Sequence, residues 1–328
     1  MPVFCCVPTS LFMWTEKCVR PSSPVPGVHR LARKGLTVTE VIVVVFVLLV
    51  LLGVGLAFLR KMRSQADQAG CANNLRIIGQ GIYEYRGGIP PKDLIGKGDA
   101  PLPAARIADG FATWAVLLAP YVAGTTPLKD WDLRKPYSEQ SAEVREAVVP
   151  LFFCPARNRT SFLSPKSDGP EDDSLPGALG DYACASADGD PRFPFDSTKA
   201  NGAIILGEVL QRKDNLILRW QSRTDYASLK RGLSNTILLG DKHVPLGSFG
   251  QAASGDGSLY NGGQPASFSR VGGPGFGLSQ SPADPFNKNF GSCHPGVCMF
   301  LMADDSVRPV SIDISENILG QLIRRDEP

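Results

Sequence analysis

The amino-acid sequence predicts an α+β protein, with one long N-terminal helix packed on a strand-rich, antiparallel globular head. Three observations carry that prediction. An uncharged apolar run fills Val41–Leu59, a proline-free stretch with three-to-four spacing carries it on to Tyr85, and short apolar runs bounded by Gly, Asp or Asn recur afterwards. The 328 residues thus divide into a leader (1–35), a transmembrane and spine helix (36–88) and a head (89–328).

The 19 residues Val41–Leu59 contain no charge, Pro, Asn or Gln. As a helix they span roughly 28 Å, close to the hydrocarbon core of a bilayer. In lipid the backbone must satisfy its own hydrogen bonds, which a single segment does only as a helix. A buried core helix of a soluble protein usually shows a polar face, and this run shows none. A secretory signal peptide has a shorter apolar region, about 7–15 residues, nearer the chain start. Lys17, Arg20, Arg30, Arg33 and Lys34 precede the run, against Arg60, Lys61 and Arg63 after it. The positive-inside rule therefore leaves the N-terminus in the cytoplasm and the head outside.

Glu40 stands at the mouth of the run, where a carboxylate normally needs a partner. A cut between Gly35 and Leu36 would create an α-amino cation at the end of the same helix. In a staggered bundle of parallel helices, Glu40 of one chain would meet the Leu36 amine of the next. Removing either charge strands the other, so the pair would act on register more than on stability.

Past the bilayer, Met62, Ala66, Ala69, Ala72 or Asn73, Leu75 or Arg76, and Ile77 or Ile78 recur at roughly helical spacing, and Ile77 and Ile78 read as head core. From Leu36 to Tyr85 the helix would be about 75 Å long. Gly87-Gly88-Ile89-Pro90-Pro91 stops it. In the head, "DWDLRKPYSEQSAEVREAVV" holds a short helix after Ser138 with Glu143 and Arg145 on its wet side, while "GAIILGEVL", "NLILRW", "NTILLG" and "VCMFLMA" read as strands. Gly247–Gly296 holds twelve of the 34 glycines and reads as loop.

Arg33-Lys34-Gly35-Leu36-Thr37-Val38-Thr39-Glu40 before the apolar run resembles the prepilin processing site of type IV pilins and type II secretion pseudopilins. The resemblance implies cleavage after Gly35 by a prepilin peptidase, N-methylation of Leu36, and a subunit-docking role for Glu40. Leu36 stands where Phe or Met is usual. The boxes "CANNLRIIGQGIYEY", "WAVLLAPYV", "PLFFCPARN", "GLSNTILLGDKH" and "HPGVCMFLMADDSVRPVS" follow in that order. Together they resemble the prepilin-type proteins of the domain of unknown function 1559 family, with a C-terminal H-x9-DG box carried here by His294, Asp304 and Asp305. The implied fold is pilin-like. The implied protein is a structural subunit of a pilus or type II secretion pseudopilus, partnered by the peptidase, the assembly machinery and other pilins. The alternative is a membrane-anchored head that binds an extracytoplasmic ligand such as a glycan. Where the family has Asp-Gly, a type I′ turn is expected, with Asp305 taking a positive φ.

Composition bounds other functions. The leader holds five Lys/Arg against Glu16 alone, so 29 basic and 31 acidic residues remain, a net charge of about −2. A nucleic-acid stripe is not supported. No G-x-S-x-G, P-loop or H-E-x-x-H pattern occurs. The strand between His294 and Asp304 would hold them roughly 20 Å apart, too far for an acid/base pair. No enzyme is expected. Cys293, His294, Cys298 and His243 lack a structural-zinc spacing, so no metal site is expected. Asp168…Glu171-Asp172-Asp173 and Asp188-Gly189-Asp190 lack the EF-hand pattern and read as solvated turns, although some pseudopilins hold calcium in such loops. An exported head allows disulfides. Cys71 and Cys154, which fall in two of the family-like boxes, are the first candidates, Cys293 and Cys298 the second, and five reduced, buried thiols the alternative.

Overall fold

The computed structural model describes Gly35 and residues 37–87, 100–122, 124–165 and 175–326. The leader up to Lys34, Leu36, the Gly88–Pro91 stop and the acidic stretch around Asp168 and Glu171 lie outside the described residues.

Helix α1 runs over Val38–Gly87, 50 residues. Its start is fixed by a reciprocal pair of bonds. The Glu40 N–H donates to Thr37 Oγ1 at 3.3 Å, and the Thr37 N–H donates back to Glu40 Oε2 at 2.7 Å. That is a capping box, Thr37-x-x-Glu40, which satisfies two backbone donors left over at a helix start. Contacts divide the chain into two units, up to Gly55 and from Leu56 onward. The first carries most of the apolar run, and an 18-residue window of α1 has mean hydropathy 3.3 and no buried share. By length and composition this is a helix able to cross a membrane.

In the second unit α1 becomes one-sided. Cys71, Leu75, Ile78, Ile82 and Tyr85 are buried at intervals of three and four, while Ile77 is only partly covered and Met62 is exposed. The stripe facing the head core thus keeps Leu75 and Ile78 from the one read off the sequence, with Cys71 buried where Ala72 is only partly covered.

The head is built on a five-stranded sheet. Its strands are β1 (Tyr182–Ala187), β4 (Ile237–Asp241), β5 (Ser269–Val271), β6 (Val297–Met302) and β7 (Val307–Ser311), in the order β5-β1-β4-β6-β7. β2 (Glu208–Lys213) and β3 (Leu216–Gln221) form a separate antiparallel pair. All neighbours in the large sheet are antiparallel except β1 and β5, so the expected antiparallel head has one parallel edge. β6 shows how the core is organised. Met299 and Leu301 join the large cluster containing Leu75, Ile78 and Trp114. Cys298, Phe300 and Met302 join a second cluster with Leu319 and Ile323 of the C-terminal helix, Glu316–Ile323. Successive side chains point to opposite faces, and both faces are covered, which is why this strand reads as a continuous apolar run.

Three local expectations change. The β6–β7 turn does place Asp305 at φ 63°, yet it is not type I′. Asp305 N–H donates to Met302 O and Met302 N–H to Ser306 O, with no other positive φ in the turn, the pattern of a type I turn closed by a left-handed residue. The helix after Ser138 is Ala142–Arg145, but Arg145 is buried, because its guanidinium donates to Gln140 O and Pro176 O. The glycine-rich Gly247–Gly296 stretch contains the edge strand β5 as well as loop.

Candidate functional site

The sequence-derived positions fall into two groups. Gly35 and Glu40 sit at the entrance of α1, where Glu40 Oε2 also accepts from Thr37 Oγ1 at 2.9 Å. Leu36, between them, lies outside the described residues. The carboxylate at the mouth of the apolar run therefore has a local partner, encoded by the T-x-x-E spacing of Thr37 and Glu40.

The second group meets inside the head. Cys71 comes from the buried face of α1, Cys154 follows the turn Pro150–Phe152, Asp241 ends β4, and His294 precedes β6. Their ligand-type atoms all lie within 4.8 Å of one another, and all four residues are buried. Cys71 Sγ donates to Asp241 Oδ1 at 3.3 Å, and Cys154 Sγ lies 3.4 Å from His294 Nε2. The surroundings fix these groups. Tyr182 Oη donates to Cys71 Sγ at 3.4 Å, Met299 N–H donates to Asp241 Oδ2 at 3.1 Å, and Asn74 Nδ2 donates to Phe153 O at 2.9 Å, tying the helix to the Cys154 segment. His294 Nδ1 is buried with no partner among the described residues, so the contacts of Nε2 set the ring's orientation.

Electrostatics in the cluster follow from burial and proximity. The Cys71 thiol in contact with it is the largest influence on the Cys154 thiol and, with His294 beside it, holds it below its ordinary value. The same contact, then burial and the nearby Asp241 carboxylate, push Cys71 up. Burial raises Asp241 above the usual carboxylate range. Burial works against a charged His294, yet Cys154, Asp241 and Asp67 together hold its pKa above the ordinary value. Two thiols this close suit a disulfide or a metal, and the Cys154–His294 pair suits a thiolate nucleophile. A cleft of about 220 Å³ opens beside His294 and Cys293, but Cys154 is not among its lining residues. Cys154 itself is buried, 3 % exposed among the described residues, and its sulfur lies against the imidazole of His294.

The remaining positions separate from this cluster. Asp304 bonds Ser306 and pairs with Arg308, away from His294, as the strand between them requires. Cys71, Cys154, Cys184, Cys293 and Cys298 are all free thiols in the structure. Cys298 faces Asp241 O from within β6, and Cys293 lies half-buried in the loop before it. His243 Nε2 meets the backbone oxygen of Asp284. The Asp188-Gly189-Asp190 loop is occupied by cations of the chain itself, since Asp188 pairs with Arg324 and Asp190 with Arg192. Asp241 was the member that sequence reasoning missed. An acid closing an apolar strand reads as a turn, and only the fold shows that it faces two thiols.

A separate cavity of about 500 Å³ lies among Tyr85, Tyr121, Trp131 and Trp220. Of these residues, the Tyr85 Oη, Trp131 Nε1 and Trp220 Nε1 atoms are buried without a hydrogen-bond partner among the described residues.

No curated protein and no solved structure matches the chain. The model of a family described as a protein of unknown function (DUF1559) matches residues 60–317, most of the chain, and the chain belongs to that family.

Proposed function

We propose that the chain is a prepilin-like structural subunit. It is cleaved between Gly35 and Leu36 by a prepilin peptidase, anchored by the apolar part of α1 with the head outside the cytoplasmic membrane, and assembled by helix packing into a pilus or a type II secretion pseudopilus. The observation that carries this reading is the helix entrance. One acid, Glu40, stands at the first turn of an exposed apolar helix, five residues after Gly35 and the Arg33-Lys34 pair. In the single chain Thr37 neutralises part of that acid's demand. In a filament the Leu36 amine of a neighbour would add a cation that no residue of the run supplies.

Capping and docking are separable by one substitution, because Gln also completes a capping box but carries no charge. Glu40→Gln is expected to be processed and inserted like the native chain yet to disappear from the sheared filament fraction and from cross-linked oligomers. Native-like assembly of Glu40→Gln would contradict the docking role. Thr37→Ala, which breaks the cap and keeps the charge, is expected to weaken the helix start by about 1 kcal/mol while leaving assembly in place.

A second reading rests on the aromatic cavity. Its aromatic ring faces suit a ligand that presents an apolar face, as a sugar ring of a glycan does. Quenching or enhancement of tryptophan fluorescence by oligosaccharides, lost in Trp131→Ala, is the expected result. No response to any oligosaccharide would leave the cavity without this role.

A further inference from the structure

We propose that Cys71, Cys154, Asp241 and His294 form a closed, tetrahedral site for a zinc-class divalent cation that staples the spine helix to the head. A tetrahedral ion with metal–ligand bonds of about 2.0–2.3 Å holds its ligand atoms about 3.3–3.8 Å apart. Two edges already have that length, Cys71 Sγ–Asp241 Oδ1 at 3.3 Å and Cys154 Sγ–His294 Nε2 at 3.4 Å. The remaining edges lie within 4.8 Å, so closing them takes side-chain shifts on the order of 1 Å.

The donor set narrows the ion. Two thiolates with one imidazole and one carboxylate oxygen suit zinc and disfavour calcium or magnesium, which take oxygen shells. Asp241 turns Oδ1 toward Cys71, while its other oxygen accepts the Met299 N–H. Four protein ligands fill the tetrahedron, which marks a structural site rather than a catalytic one. On binding, both thiols release their protons to solvent as the metal–sulfur bonds form. Two thiolates and a carboxylate around a divalent ion leave one negative charge in excess, and the buried Arg157 guanidinium interacts electrostatically with Cys154 from nearby. The ligands come from α1, the segment after Phe152, β4 and the entry to β6, so one ion would cross-link four segments far apart in sequence.

A Cys71–Cys154 disulfide is the competing use of the same sulfurs, and the test must separate them. The full chain is purified in detergent without reductant, its metal content measured by mass spectrometry, and its cysteines alkylated after denaturation with chelator. The proposal expects one zinc per chain and both thiols alkylated without prior reduction. Cobalt exchange is expected to give a tetrahedral ligand-field band with sulfur-to-cobalt charge transfer in the native sequence, a readout independent of any variant. Cys154→Ser and Asp241→Asn are expected to weaken metal affinity by more than about tenfold, the loss seen even for outer-shell partners. Cys184→Ser, a buried thiol outside the cluster, is expected to bind as the native chain does. A Cys71–Cys154 disulfide, failure of the reduced native chain to take up zinc or cobalt, or unchanged affinity in Cys154→Ser would each overturn the proposal.

Discussion

At Asp305 the backbone takes φ 63° and the Oδ1 atom is buried without a partner among the described residues, so one residue carries two unfavourable features. Glycine has no Cβ to strain at positive φ and no carboxylate to strand. Asp305→Gly is expected to stabilise the head by about 1 kcal/mol, raising its melting midpoint by about 2–4 °C in thermal circular dichroism. A lower midpoint would show that the aspartate makes a compensating contact. The positive φ was expected from the family resemblance, which puts a glycine where Asp305 stands. The turn type was not legible in the sequence, since it depends on which carbonyls pair across β6 and β7. Glu40 is the reverse case. Its charge suggested a distant partner, while its spacing from Thr37 already encoded a near one.

The strand expected at "GAIILGEVL" begins only at Glu208, and Gly202 shows why. Its N–H donates to Ser186 O of β1 at 2.8 Å, and a Cβ there would fall 2.3 Å from the Ala185 carbonyl oxygen. Backbone meets backbone, so the segment packs into the core as an irregular crossing instead of pairing as a strand. Gly202→Ala is expected to destabilise the head by about 1–3 kcal/mol, read as a lower denaturation midpoint at unchanged slope. An unchanged midpoint would contradict the close approach. β1 itself escaped the sequence reading, since Tyr182-Ala183-Cys184-Ala185-Ser186-Ala187 has almost none of the β-branched and aromatic residues that mark strands. Its small side chains are what let neighbouring segments come so near.

Across the whole head a buried charge network joins segments that no local pattern connects. Lys242 Nζ lies 3.1 Å from Asp256, Asp256 lies 2.8 Å from Arg159, and Arg159 and Arg157 share Asp181. With Arg270 added, four cations face two carboxylates, which is costly unless one cation gives up its charge. Lys242 is that cation: burial, with Arg270 and Arg159 nearby, lowers it to about 7 against the attraction of Asp256. An unfolded lysine keeps its proton to about pH 10.4, so between the two values the unfolded chain binds more protons and stability rises with pH. From pH 7 to 8.5 the native head is expected to gain up to about 2 kcal/mol relative to Lys242→Met in chemical denaturation. Parallel pH profiles would contradict the assignment. The α+β class, the apolar helix and the β6–β7 hairpin were legible because their signals are local. The thiol cluster and this network were not, because their members lie scores of residues apart and only the fold brings them together. The processing that would make the chain a subunit is tested most directly by the intact mass and N-terminal sequence of the protein recovered from membranes. Our account expects a chain beginning at Leu36, with or without one added methyl group. A chain that retains Gly35, or that begins beyond Leu59, would contradict it.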